Sequence, residues 1–179
     1  ALVSKVDGRA RPAVTRLKPG VLSIDANLGY AYPAIDCAIE ALPDMAREQG
    51  IALAAIYRSH HAGVMALTVE RFAEMGFVAL MFANAPASMA PWGGSRPLYG
   101  TNPIAFGAPV GGADPLVIDL ALSKVARGKI MAARQKGEAI PGDWALDRNG
   151  RPTTDPEEAI EGTMVPAGEA KGAALALMV

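Results

Sequence analysis

The chain has 179 residues, 51% of them hydrophobic and 20% charged, with a net charge of −1. That length and mixture describe one domain, or most of one, with apolar surface enough for a core, and exclude a disordered chain. Balanced charge without a basic run leaves no electrostatic basis for binding nucleic acid or an anionic membrane, and no apolar run reaches the roughly 18 residues that span a bilayer.

In chain order, Val21 to Ile24 is a short β-rich run after the turn residues Lys18-Pro19-Gly20. Residues 33–49 have helical spacing, with Ile35, Ile39, Leu42 and Met45 at steps of three and four and Gly50 as the C-terminal stop. Pro33 suits the first helical turn, whereas Pro43 predicts a kink or a break. Cys37 reads as a small apolar core residue; as the lone cysteine it rules out an internal disulfide and fits a reducing compartment. Residues 51–57 (IALAAIY) and 77–83 (FVALMFA) read as strands buried on both faces. A helical pattern, 64–75, lies between them, so the unit predicts a parallel pair joined by a crossover. Residues 104–108 and 116–120 read as further strands, and 123–135 as a helix capped by Ser123. Residues 140–155 read as loop with a tight turn at Asp147-Arg148-Asn149-Gly150, and Asp155-Pro156 as a helix start. Residues 165–172 read as irregular, and both tryptophans, Trp92 and Trp144, as packing residues. No linker or internal repeat marks a domain boundary.

The stretch from Arg58 to Pro109 concentrates what chemistry the chain offers. It opens with RSHHAG, which holds both histidines, and closes with PWGGSRPLYGTNPIAFGAP, six of whose residues between Pro91 and Pro103 are glycine or proline. Glycine lets backbone come close to a partner. A crevice past strand ends is where open α/β sheets take ligands, and His61 stands at such an end. Imidazole there can exchange a proton with a substrate oxygen near neutral pH; the alternative is a loop histidine satisfied by backbone. His60 points the other way if the backbone is extended. Thr101 and Asn102 face a ligand or form a plain turn. Asp119, at a strand end, accepts a hydrogen bond from a ligand or closes a turn. Lys171 meets a phosphate or is solvated. No zinc-ligand spacing, no Rossmann or P-loop glycine pattern and no serine-hydrolase elbow is present, so no metal is expected.

Taken as a series, VDGRARP, RSHHAG, PWGGSRPLYGTNPIAFGAP, VIDLALSKVARGKI, IPGDWALDRNGRPTTDP and PAGEAKG make the chain resemble the malate/L-lactate dehydrogenase family of NAD(P)-dependent oxidoreductases. The resemblance implies an α/β fold, a mixed sheet with flanking helices that binds NAD or NADP by a non-Rossmann device. It implies a small 2-hydroxy or 2-keto acid as substrate, a homodimer and a cytoplasmic location. Its catalytic histidine, two residues before the motif glycine, falls on His61. Its cofactor contacts fall on Asp119, Leu120 and Ala121, on Lys171, and on Thr101 and Asn102 in the GTNP run. Departures from the family are Ala85, where many relatives have serine, and Leu122-Ser123 in place of Thr-Ser. Residues 1–179 are expected to be the central portion of a larger enzyme, lacking N-terminal substrate-side residues and a C-terminal part. Other readings are a cyclic imino-acid reductase, a non-catalytic scaffold of the same fold, and a metal hydrolase using the histidine pair.

Overall fold

A computed structural model describes residues 6–179. The chain forms two compact units, the first built from the chain up to Met81 and from Ala105–Ile118, the second from Phe82–Ile104 and Asp119–Val179. The sequence shows no boundary because the chain passes between units three times, each time within a strand rather than through a linker.

In the first unit β1 (Ala13–Lys18) and β2 (Val21–Asp25) pair antiparallel, and β2 runs parallel to β3 (Leu53–Tyr57) with Asp25 opposite Tyr57. The crossover is α1 (Ala31–Gln49), and the helix expected over 64–75 follows β3 as α2 (Ala66–Glu74). The expected pairing of β3 with the next strand is therefore corrected: β4 (Ala79–Phe82) belongs to a second sheet of order β4-β5-β6, with β5 at Ile104–Val110 and β6 at Ala113–Leu120. Both intervening segments are long enough for a crossover, so length alone does not choose the partner.

Helix α1 starts at Ala31, ahead of Pro33, and the predicted break does not occur, since Pro43 lies buried inside it. A proline within a helix costs about 3 kcal/mol. Burying Ile35, Ile39 and Met45 on the same helix returns about 1.5–3 kcal/mol each, which outweighs it. Gly50, at φ +80°, ends the helix as expected. Cys37 packs against the core formed by Leu22, Ile24 and Ala38.

Burial on both faces of β3 and β4 is also corrected. Ala54 and Ile56 turn inward, while Leu53 (58% exposed) and Tyr57 face out. On β4, Met81 packs inward while Leu80 (61%) and Phe82 (56%) face out. A continuous apolar run does not reveal which of its faces is covered. No helix among the described residues is long and apolar enough to cross a membrane.

The second unit packs around Met89, Leu122, Ile130 and Met164. Helix α3 (Arg127–Lys136) begins four residues after Ser123, which is not its cap. The Ser123 hydroxyl donates to the Val125 carbonyl at 2.7 Å, and Lys124 N–H donates to Val165 C=O, so this segment pairs with 165–166 instead of coiling. The two-residue strand β7 (Ala145–Leu146), inside the stretch 140–155 that reads as loop, pairs antiparallel with β8 (Thr163–Met164). The Asp147–Gly150 turn is present, and Asp155 caps α4 (Pro156–Glu161) through the Glu157 N–H at 2.8 Å. Lys171, expected in an irregular segment, lies in the first turn of α5 (Ala170–Met178). Trp144 packs on the core, whereas Trp92 is half exposed and lies outside that cluster.

Candidate functional site

The histidine loop leaves the end of β3. Beyond the strands its backbone stays laced to the segment after β2: Ala26 N–H donates to Tyr57 C=O at 3.0 Å, Leu28 N–H to Arg58 C=O at 2.8 Å, His60 N–H to Gly29 C=O at 2.8 Å and Ala31 N–H to His61 C=O at 3.4 Å. Both histidines are exposed. The His60 ring meets Tyr30 edge-on, with centroids 5.9 Å apart, which gives it a packing role. Ala62 packs against Ala31, Ile35 and Ile39, so in extended backbone the neighbouring His61 turns away from the core. Gly63 completes the motif at φ +68°, and a Cβ there would collide with the Tyr32 hydroxyl. The loop thus presents one imidazole outward on a backbone fixed from both sides.

Part of that fixation comes from residues distant in sequence. Arg58, Asn27 and Leu28 all have left-handed backbone, at φ +49°, +50° and +62°. Such a conformation costs an ordinary residue about 1–2 kcal/mol. Here the Arg58 guanidinium forks onto the Asp25 carboxylate at 2.8 and 2.7 Å and also donates to Asn27 Oδ1 at 2.7 Å. Asp25 in turn accepts the Asn27 N–H at 2.8 Å. The only hint in the sequence is that an arginine opens the histidine motif; its partner lies 33 positions back.

The Arg58 guanidinium beside Asp25 holds that carboxyl below the usual aspartate range, with the Asn27 N–H assisting and partial desolvation opposing. A depressed folded value means that the clip's contribution is complete above the unfolded value of about 3.9 and is lost as pH falls through the lower, folded value. The Asn27 and Leu28 amide resonances should therefore report the loss of the Asp25 charge only below about pH 4, the Asn27 N–H being bonded to that carboxylate. An NMR titration with a midpoint at or above the ordinary aspartate value would contradict this.

The second unit holds the other predicted residues, and hydrogen bonds tie distant parts of the chain together around them. Thr101 C=O accepts the Leu122 N–H at 2.7 Å, placing the GTN loop beside the segment that follows Asp119, Leu120 and Ala121. Leu122 C=O accepts the Ala167 N–H at 2.8 Å, which adds the strand-like approach to α5 and Lys171. Asn102 is 5% exposed, and its amide is committed to protein: Oδ1 accepts the Ala85 N–H at 3.1 Å and Nδ2 donates to Ala176 C=O on α5 at 3.0 Å. Gly100 lies so close to Ala85 that a Cβ would sit on its carbonyl. Thr101 is half-buried, while Asp119, Leu120 and Lys171 are exposed.

The side-chain chemistry of this set suits a dinucleotide. An exposed ammonium suits a phosphate, an exposed carboxylate suits ribose hydroxyls, and Leu120 and Ala121 offer apolar surface to a flat ring. The Lys171 ammonium has no ion pair among the described residues. A separate cleft of about 310 Å³, between the Trp92–Ser95 loop and the Asn149-Gly150 turn, contains none of these residues.

A family model described as malate/L-lactate dehydrogenase matches residues 3–179. The chain is 60% identical over 173 residues to the (2R)-3-sulfolactate dehydrogenase (NADP(+)) of Chromohalobacter salexigens, covering 97% of this chain and 51% of that protein. It is 44% identical over 175 residues to the Δ1-pyrroline-2-carboxylate/Δ1-piperideine-2-carboxylate reductase of Pseudomonas putida, covering 97% and 51%. Among solved structures, the Δ1-piperideine-2-carboxylate reductase of Pseudomonas syringae superposes with a TM-score of 0.95 at 42% identity, covering 99% of this chain and 54% of that one. The chain spans about half the length of the curated relatives it matches.

Proposed function

The chain belongs to the malate/L-lactate dehydrogenase family, and from that premise we propose that it is the central part of an NADP-dependent oxidoreductase acting on a small 2-hydroxy or 2-keto acid. A bound nicotinamide supplies or accepts the hydride. His61 gives a proton to the substrate oxygen in reduction and takes it in oxidation. Lys171 holds a dinucleotide phosphate, Asp119 a ribose hydroxyl, and Leu120 with Ala121 the apolar edge of the cofactor. Thr101 offers its hydroxyl to the bound ligands, and Asn102 serves as the strut that keeps Thr101 in place.

The observation that carries this reading is the 60% identity to a sulfolactate dehydrogenase, with RSHHAG and GTNP present in the chain. A second reading, reduction of a cyclic imino acid, is favoured by the likeness to the piperideine-2-carboxylate reductase structure. In the reductive direction the 2-keto acid and the cyclic imine share an sp² carbon beside a carboxylate, and each takes up one hydride and one proton. They differ in whether that proton goes to oxygen or to nitrogen. Assays of (2R)-3-sulfolactate with NADP, and of Δ1-pyrroline- and Δ1-piperideine-2-carboxylate with NADPH, separate them. Binding of NADPH with no turnover of either class would favour a non-catalytic scaffold. Failure to bind NADPH or NADH in a protein of the relatives' length would defeat the proposal.

Within this reading, Lys171→Ala weakens NADPH binding by roughly 10- to 100-fold, the equivalent of one charge-assisted hydrogen bond. The rate at saturating cofactor stays within a few fold. Cofactor fluorescence titration measures the first, and steady-state kinetics the second. We also place the protein in the cytoplasm as a homodimer. The lone Cys37 suits a reducing compartment, and apolar outer faces such as those of β4 and β6 are surfaces that proteins cover. Sedimentation of the purified protein tests the dimer.

A further inference from the structure

We infer that Arg58 is a positioning residue for His61, acting through the turn that the Asp25–Arg58–Asn27 clip holds. The inference rests on the catalytic reading of His61 but adds a residue to which that reading gives no part.

Arg58 is where the chain leaves β3, and its φ of +49° sets the direction of everything that follows up to His61. Nothing intrinsic to arginine favours that conformation. What favours it is a guanidinium engaged on three acceptor atoms: both Asp25 oxygens and Asn27 Oδ1. A planar fork meets a carboxylate this way, and a lysine cannot. The same turn presents the Arg58 carbonyl to Leu28 N–H, and two residues later His60 N–H reaches Gly29 C=O. If Arg58 relaxes to ordinary β or helical backbone, the direction of residues 59–61 changes and those bonds cannot all persist. An exposed side chain such as His61 has little packing of its own to hold it, so its aim is set by its backbone. Clip, backbone lacing and outward imidazole therefore form one mechanical chain. The clip side chains are not among the residues of the unit's core, which is built on Leu22, Ile24, Ala26 and Ala38.

The test compares wild type, Arg58→Gln and Arg58→Lys in the protein with its cofactor bound. Hydrogen exchange at the His60 amide should speed up on the order of 10-fold or more in Arg58→Gln while Ile39 in α1 stays protected, because only a local opening is released. Turnover should fall on the order of 100-fold, the cost of misaiming an acid/base group by about 1 Å, with KM and cofactor affinity little changed. The Arg58→Lys variant, which keeps charge but not the fork, should fall between. It carries the test alone if Arg58→Gln does not fold. Unchanged exchange at His60, equal loss of protection at Ile39, or a turnover indifferent to both substitutions would each overturn the inference. If wild type itself turns over no substrate, the catalytic reading falls and with it the purpose of the clip, while the exchange measurement still decides whether Arg58 holds the loop.

Discussion

His61→Gln abolishes turnover, by a factor of about 10² to 10⁴, and leaves NADPH affinity within a few fold of wild type. Glutamine keeps a donor and an acceptor but no proton that titrates near neutrality. Stability should not change, because the His61 side chain is exposed while its neighbour Ala62 does the packing. The matching substitution His60→Gln removes an edge-on contact with Tyr30 and should cost less than about 10-fold in rate. The pair of variants separates the chemistry of one imidazole from the packing of the other. Steady-state kinetics and cofactor titration on both decide it. Full activity of His61→Gln would end the assignment, and so would a loss of cofactor binding as large as the loss of rate.

What could be read in the sequence was local. The i, i+4 spacing of Ile35 and Ile39 specifies a helix whatever surrounds it, and Asp155-Pro156 caps its helix with contacts inside a few residues. The Asp147–Gly150 turn is equally self-contained. Sequence and structure part where the outcome depends on a distant partner. The run from Leu53 to Tyr57 is a strand, but neither its pairing with β2 nor the exposure of Leu53 and Tyr57 is written in the run itself. Ser123 has the chemistry of a helix cap, yet the adjacent Lys124 finds Val165, more than forty positions away, and the helix starts later. The site divides in the same way. The motif singles out His61 as a candidate, but the Arg58–Asp25 fork beside its loop joins residues 33 positions apart. Asn102, an amide in a glycine-rich loop, has the chemistry of a ligand contact, and only the fold shows that its amide is already engaged.

Asn102→Ala is expected to destabilise the second unit by about 3 kcal/mol and to weaken cofactor binding. The side chain satisfies one backbone N–H, at Ala85, and one backbone carbonyl, at the buried Ala176. Each group left without a partner costs about 1–3 kcal/mol. Asn102 also sits at φ +32°, where asparagine is tolerated and alanine is not. The damage falls on the proposed cofactor contacts because the same amide joins the loop carrying Thr101 to α5, whose first turn carries Lys171. Asn102→Asp sharpens the point. It keeps the acceptor for Ala85 but turns an oxygen toward the Ala176 carbonyl, so the variant must bury either a repelled carboxylate or a proton it would not otherwise hold. Its deficit should shrink as pH falls, whereas that of Asn102→Ala should not. Both tryptophans, Trp92 and Trp144, lie in this unit, so urea unfolding followed by tryptophan fluorescence reports on it directly. A transition midpoint equal to wild type in Asn102→Ala, or equal pH dependence in the two variants, would show that the bridge from the GTN loop to α5 does not hold this part of the protein together.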